Sequence, residues 1–212
     1  MAGALTLLVV LLWAGVTSAH RRDEYLQAAR LAIDPDRVQL TLDLTPGIAV
    51  TERVLGSIDR DASGSISEAE ARAYAEDVLR AIALDVDGTP LRVELVDSAA
   101  PEIDAVMRGE GTMRIHGAAA IPRLADGLHR LRYRNNYGGD IGVYLANVLV
   151  PDSDRVMVTA QRRDAEQRAL VVEYNLRGDP AARSRASVPV GLAGALVLIA
   201  NLWWRRRPRE AA

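Results

Sequence analysis

The chain alternates apolar and polar residues over many short segments, which is the pattern of strands that bury one face. In the clearest case Val38, Leu40, Leu42 and Leu44 occupy every second position, and polar residues occupy the positions between them. Residues typical of turns separate the segments. By this criterion strands are predicted over residues 24–33, 37–44, 84–86, 91–96, 113–119, 128–134, 156–161 and 170–176.

Two further segments have a more specific pattern. Residues 84–86 and 91–96 flank Asp87-Gly88, a dipeptide that favours the tight turn of a β-hairpin. Residues 141–150 are apolar almost throughout, which predicts a strand buried on both faces. Many short strands separated by turns favour an antiparallel β-sandwich.

One segment departs from the strand pattern. Residues 49–83 show helical spacing of apolar residues on both sides of a polar stretch, which predicts a helix–loop–helix unit inserted into the β-rich domain. Residues 101–111 are compatible with either a loop or a short helix. The sequence thus predicts a mainly β, α+β ectodomain. The apolar positions of the inserted unit are Val54, Leu55 and Ile58 before the loop and Tyr74, Ala75, Val78, Leu79 and Ile82 after it.

The polar stretch at residues 59–70 has a regular spacing of oxygen-bearing side chains. They stand at positions one, three, five, seven, nine and twelve of the run, and Gly64 stands at position six. This spacing resembles the calcium-binding loop of the EF-hand family, and it covers the loop with one helix on either side. The resemblance implies a Ca²⁺ site formed by the side-chain oxygens of Asp59, Asp61 and Ser63, the carbonyl of Ser65, a water held by Ser67, and both carboxylate oxygens of Glu70.

A simpler interpretation of the same loop is also open. Ser67 and Glu70 match a capping box at a helix start, and Asp and Ser are ordinary turn residues. That interpretation does not explain why Asp59 and Asp61 fall in register with the glycine and the apolar flanks. Ser63 stands where the family favours Asp or Asn, so only three ligands carry charge. We therefore expect weak binding, with a dissociation constant of roughly 10⁻⁵ to 10⁻³ M.

A second loop of this kind is missing from the sequence. Residues 85–88 begin similarly but place their glycine two positions too early. Ile66 matches the apolar position that pairs with a partner hand in the family. We expect that Ile66 pairs with an unusual element, pairs across a homodimer, or pairs with nothing.

The two ends of the chain predict export and membrane anchoring. Residues 1–19 combine an apolar run with small residues at the positions that a signal peptidase recognises, which predicts a signal peptide cleaved after Ala19. The missing positive charge before the run leaves an uncleaved signal anchor or a misassigned start as alternatives. A second apolar run at 188–204 ends in two tryptophans and precedes an arginine cluster, which predicts a single transmembrane helix. The predicted order is an extracytoplasmic domain at 20–178, a tether at 179–187, the transmembrane helix, and a cytoplasmic tail at 205–212.

Composition and motifs exclude several function classes. The formal net charge is −2, which provides no electrostatic reason to expect nucleic-acid binding. The chain has no cysteine, so it has no disulfide framework and no thiolate site. No nucleophile elbow, catalytic triad order or metalloprotease helix is present, so we expect a non-enzymatic protein. The arginine row at residues 130–134 predicts a solvated strand face, with contact to acidic lipids as the alternative.

Two non-enzymatic interpretations of function follow, beside a third in which the chain is an enzyme whose catalytic residues are scattered beyond the reach of sequence motifs. The first is a membrane-anchored extracytoplasmic protein that binds one Ca²⁺ ion, which is structural or regulates binding of an unidentified protein partner. The second is a metal-handling accessory for copper or nickel, in which a newly exposed His20 supplies an amine and an imidazole. The whole layout also resembles exported bacterial proteins with one EF-hand-like loop in a β-rich domain, a resemblance that implies no activity. It rests on residues 23–27, 44–47, 143–145 and 161–164.

Overall fold

A computed structural model describes residues 24–178 of the 212-residue chain. Within this part, ten strands form two five-stranded sheets, and three α-helices and one 3-10 turn at Ile48–Val50 connect them. The helices are α1 (Thr51–Ile58), α2 (Glu68–Arg80) and α3 (Ile103–Met107). The strands are β1 (Tyr25–Ile33), β2 (Arg37–Pro46), β3 (Ile82–Val86), β4 (Thr89–Pro90), β5 (Glu94–Ala99), β6 (Met113–Ala120), β7 (Gly127–Asn135), β8 (Gly142–Val148), β9 (Val156–Arg163) and β10 (Ala169–Leu176).

The two sheets share one hydrophobic core. The first has the strand order β5-β6-β2-β1-β8, and the second has the order β4-β3-β7-β10-β9. Leu31 and Leu42 from the first sheet and Leu131 and Val172 from the second are fully buried and belong to the same apolar cluster. The domain is therefore mainly β with two sheets, as the alternating pattern predicts for a sandwich-like fold.

The strand predicted at residues 141–150 is present as β8, but the prediction that both of its faces are buried is wrong. β8 is an edge strand of the first sheet, and it runs parallel to β1 in an otherwise antiparallel arrangement. Leu145 and Leu149 are exposed, and Val150 is 89% exposed. A continuous apolar run does not distinguish a strand covered on both faces from an edge strand whose outer face meets solvent.

The hairpin prediction is correct for the turn and wrong for the second strand. Residues 82–86 pair with only two residues after the Asp87-Gly88 turn, and Leu91 donates its N–H to the Leu84 carbonyl at 2.8 Å. The chain then crosses to the other sheet, where residues 94–99 pair with β6. Pro90 contributes no N–H to a longer hairpin ladder.

The helix–loop–helix insertion is confirmed, with one change at its end. α2 ends at Arg80, and Ile82 begins β3 instead of continuing the helix. Ile82 is buried in β3. An apolar residue suits a buried position in a helix equally well, so the residue type does not distinguish a longer helix from a strand. Residues 101–111, for which the sequence is compatible with a loop or a short helix, contain the short helix α3.

Several predictions concern segments that lie outside the described residues. These are the signal peptide at 1–19, His20, the tether at 179–187, the transmembrane helix at 188–204 and the tail. Within residues 24–178, no helix combines the length and the apolar character needed to cross a bilayer.

Candidate metal centre

The twelve-residue run occupies the connection between α1 and α2 and continues into the first turn of α2. Both helices bury one face in the domain core, through Val54 and Ile58 in α1 and through Tyr74 and Val78 in α2. Residues 61–65 between them are exposed. The loop is therefore held at both ends by packed helices, while residues 61–65 between them face solvent.

Three carboxylates converge in this loop. Asp59, Asp61 and Glu70 each bring one oxygen to within 4.8 Å of the others. Ca²⁺ binds oxygen at 2.3–2.6 Å, so two ligands on opposite sides of one ion lie up to about 5 Å apart. Among the described residues this is the one group of three acidic, histidine or cysteine side chains with such spacing. The carboxylates at positions one, three and twelve thus meet a distance requirement that the sequence pattern alone does not test.

Backbone geometry turns the two aspartates inward. Ser63 donates its N–H to Asp59 Oδ1 and to Asp61 Oδ1, each at 3.0 Å, and Gly64 donates its N–H to Asp59 Oδ2 at 3.0 Å. Gly64 has φ +78°, a conformation that costs glycine little. Ala62 also has a positive φ, +55°, which costs an L-residue about 1–2 kcal/mol. The loop thus maintains a locally unfavourable backbone that places carboxylates side by side.

Glu70 is fixed by hydrogen bonds from both ends of the loop. Its Oε2 accepts the hydroxyl of Ser67 at 2.7 Å and the N–H of Ser67 at 3.0 Å. Its Oε1 accepts the N–H of Arg60 at 2.9 Å. These bonds, chiefly those from Ser67, lower the pKa of Glu70 to about 2. Glu70 is therefore ionised at neutral pH and contributes a full negative charge.

The three predicted serine ligands lie in the loop, and each takes part in local hydrogen bonds. Ser63 Oγ donates to the Ser65 carbonyl at 3.1 Å. Ser67 accepts the Glu70 N–H while Glu70 accepts from Ser67, so the capping box is present. The Glu70 carboxylate therefore belongs both to the capping box and to the carboxylate cluster. Coordination by Ser63, Ser65 and Ser67 stays a prediction.

The electrostatics of the loop favour a cation. Arg60 is the one basic residue in the run, and its guanidinium pairs with Asp77 of α2. Its charge is therefore directed to the helix instead of to the three carboxylates. The oxygen-only donor set is the type that hard divalent cations prefer.

Buried tyrosines connect α2 to the first sheet, a contact that the sequence does not predict. Tyr25 Oη of β1 lies 2.5 Å from Tyr74 Oη of α2, and both side chains are buried. The Tyr137 ring meets the Tyr74 ring edge-on, with centroids 5.8 Å apart. Periodicity identifies Tyr74 as a core residue of α2, but no sequence signal pairs it with a residue 49 positions earlier.

Two other predictions about exposed features can be compared with the structure. The Ile66 side chain is half-buried and packs against the core of its own domain, while its pairing across a homodimer stays a prediction. The guanidiniums of Arg130, Arg132 and Arg134 lie on an exposed face of β7 and form ion pairs with carboxylates of neighbouring segments. This agrees with a solvated strand face.

Comparison of the chain with models of known protein families, with curated proteins and with solved structures finds no match.

Proposed function

We propose that this chain is a non-enzymatic calcium-binding protein whose folded domain lies outside the cytoplasm, with residues 188–204 as its membrane anchor. The observation that carries the proposal is the approach of three carboxylate oxygens within 4.8 Å in the EF-hand-like loop. The order of residues in the loop and the distances between their oxygens are separate properties. Both support the same site.

The donor atoms favour Ca²⁺ over other common cations. The loop supplies carboxylate, hydroxyl and carbonyl oxygens, and no histidine or cysteine stands between residues 59 and 70. Such a set suits hard cations, whereas copper, nickel and zinc prefer imidazole or thiolate. Mg²⁺ requires near-ideal octahedral geometry at 2.0–2.1 Å and gives up its waters reluctantly. A loop with donors spread over twelve residues fits the larger ion better.

We expect the ion to stabilise the helix pair instead of opening it. Sensor EF-hands open on binding and expose an apolar groove. In this domain the apolar faces of α1 and α2 already pack into the β-rich core, and Tyr74 of α2 is hydrogen-bonded to Tyr25 of β1. Opening the pair would expose that core and break the buried bond. A bound ion would then add stability by mass action, about 2.7 kcal/mol at one hundred times the dissociation constant.

Calorimetric titration of the purified full chain tests the calcium site. We expect one Ca²⁺ per chain, with a dissociation constant of roughly 10⁻⁵ to 10⁻³ M, and a thermal unfolding midpoint that rises with Ca²⁺ concentration. Glu70→Gln should abolish the binding heat because it removes charge and one strong ligand. Glutamine is also compatible with a capping box, so the metal-free fold should survive.

Glu68→Gln is the matched control for this experiment. It removes the same charge from the same helical turn, and Glu68 is not part of the carboxylate cluster. It should therefore retain one binding site per chain. Equal heats from the parent protein and Glu70→Gln would reject the calcium site, as would equal loss of binding in both variants.

The location of the domain requires a separate test. Protease added to cells whose outer membrane is permeabilised, but whose inner membrane is intact, should digest the domain and leave a short membrane fragment that contains the anchor. Mass spectrometry of the mature protein should find His20 as the first residue. A chain protected from protease until the cells are lysed would reject the extracytoplasmic location and leave the calcium test unaffected.

A further inference from the structure

His129 links three separate segments at one end of the second sheet. It lies near the start of β7. Its Nδ1 is 2.7 Å from Asp87 Oδ2 in the β3–β4 turn, and its Nε2 is 2.8 Å from the carbonyl oxygen of Ala125 in the connection between β6 and β7. The side chain is only 10% exposed. Both ring nitrogens therefore face oxygen atoms in a mostly buried setting.

The two partners of the ring have the same hydrogen-bonding role. A carbonyl oxygen can only accept, and an ionised carboxylate can only accept. Neutral imidazole carries one N–H, so it can satisfy Asp87 or Ala125 but not both. Imidazolium carries two and satisfies both at once. The arrangement is therefore complete only when His129 is protonated.

We propose that His129 is a pH-sensitive latch that holds residues 122–126 against the end of the sheet when protonated and releases them when neutral. Asp87 is the firmer of the two partners. Its Oδ1 accepts the Arg130 N–H at 2.8 Å, and its own N–H donates to the Arg130 carbonyl at 2.9 Å. Neutral His129 keeps its proton on Nδ1, beside the carboxylate. The lone pair of Nε2 then faces the Ala125 carbonyl, and that contact opens.

The connection that opens is held on its other side by two contacts. Ile121 donates its N–H to the Asp36 carbonyl at 2.8 Å, and the Leu124 side chain packs partly against the core. Pro122, Arg123 and Ala125 are exposed. Release of the Ala125 carbonyl therefore removes one tie of the connection, while β6 and β7 keep their pairing with neighbouring strands.

Several other charged or titratable groups surround the ring. Arg130 and Glu173 line the adjacent groove and pair with each other at 3.3 Å. Arg132 lines the same groove and pairs with Asp85. Asp126 lies in the connection itself.

Tyr174 of β10 also faces the ring, at 5.7 Å between centroids. Burial and the nearby Asp87 charge raise its pKa to about 12, so it does not titrate with the latch. The Asp87 carboxylate is the charge in direct contact with the imidazole.

The direction of the pH effect follows from the ring's environment. Burial by itself lowers the pKa of His129, but the hydrogen bonds to Asp87 and Ala125, together with the Asp87 charge, outweigh it and raise that pKa above 6.5. The stabilisation is fully present below the pKa of the unfolded chain. It is lost as the pH rises through the pKa of the folded protein. The latch is therefore closed at acidic pH and opens on the alkaline side.

Hydrogen exchange of the full chain tests the latch, with rates corrected for the intrinsic effect of pH. Exchange in peptides that cover residues 122–127 should accelerate about fivefold as the pH rises, the factor expected for loss of one net hydrogen bond. The midpoint should coincide with the pKa of His129 measured by NMR of its ring. A flat profile, or a midpoint unrelated to His129, would overturn the proposal.

Variants separate the latch from a general pH effect. His129→Gln should make exchange of the connection independent of pH. His116→Gln should leave the profile unchanged, because His116 pairs with Asp97 on the other sheet. Persistence of the pH profile in His129→Gln would overturn the proposal.

Should that variant not fold, Asp87→Asn provides the test, because asparagine tolerates the positive φ of residue 87. Removing that charge should move the midpoint to lower pH, and an unmoved midpoint would overturn the proposal.

Discussion

The hydroxyl of Tyr25 in β1 lies 2.5 Å from the hydroxyl of Tyr74 in α2, and each side chain is 1% exposed. Burial raises the pKa of both hydroxyls well above the ordinary value of 10.0. Both stay protonated at any ordinary pH, so one donates and the other accepts. This bond fixes the outgoing helix of the candidate calcium site to the first sheet.

The tyrosine pair predicts a non-additive loss of stability. Tyr74→Phe leaves the Tyr25 hydroxyl buried without its partner, which should lower the free energy of unfolding by about 1–3 kcal/mol. Tyr25→Phe should have a similar effect. The double variant should lose less than the sum, because no hydroxyl is then left unpaired. Urea unfolding of the four proteins measures the coupling, and strictly additive losses would contradict the bond.

Two glycines in the helix–loop–helix unit should respond to alanine in opposite directions. Gly64 has φ +78°, and apart from its chain neighbours no heavy atom lies within 4 Å of the position that an added methyl group would occupy. Gly64→Ala should therefore destabilise the domain through backbone strain alone, by about 1–2 kcal/mol. Gly56 lies inside α1 with equally open space. Gly56→Ala should stabilise the domain by about 0.5–1 kcal/mol, because alanine is the better helix former. Thermal or urea unfolding gives both signs, and the same sign in both variants would be inconsistent with the loop geometry.

The titration of Glu70 should reveal its hydrogen bonds. Its pKa is lowered from 4.5 to about 2. Its contribution to stability is therefore present above the pKa of the unfolded chain and is lost as the pH falls towards 2. NMR titration of the Glu70 carboxylate carbon in calcium-free protein should show the low midpoint. Ser67→Ala should raise it because the strongest donor is gone. Ser65→Ala is the control that should leave it unchanged, and a midpoint near 4.5 in the parent protein would refute the geometry.

A buried amide pair joins β1 to the end of β7. Asn135 donates its side-chain N–H to Gln27 Oε1 at 2.8 Å and accepts the Tyr137 N–H at 2.9 Å. Asn135→Ala leaves the buried Gln27 oxygen and the partly buried Tyr137 N–H without these partners and should cost about 2–3 kcal/mol. The exposed neighbour Asn136 is the control, and Asn136→Ala should change stability by no more than about 0.5 kcal/mol. Equal effects of the two substitutions on urea unfolding would argue against the buried pair.

Local pattern was sufficient for most strands, for the helix–loop–helix insertion and for the turn at Asp87-Gly88. These features depend on neighbouring residues: alternation selects one face of a strand, and helical spacing selects one face of a helix. The spacing of Asp59, Asp61 and Glu70 belongs to the same class, because twelve consecutive residues contain every proposed ligand. The candidate site could therefore be identified before any distance was known.

Pairing between distant segments depended on the tertiary structure. The apolar run around Leu145 is compatible with a central or an edge strand, and only the completed sheet leaves β8 at its edge. Tyr25 and Tyr74 make contact although they are 49 positions apart in the sequence, and Asp87 and His129 although they are 42 positions apart. Hydrophobic burial determines which face of each element turns inward, but it is non-directional and does not select which inward residues become neighbours. That selection comes from sheet order and from the packing of α2 against the core, which no local pattern encodes.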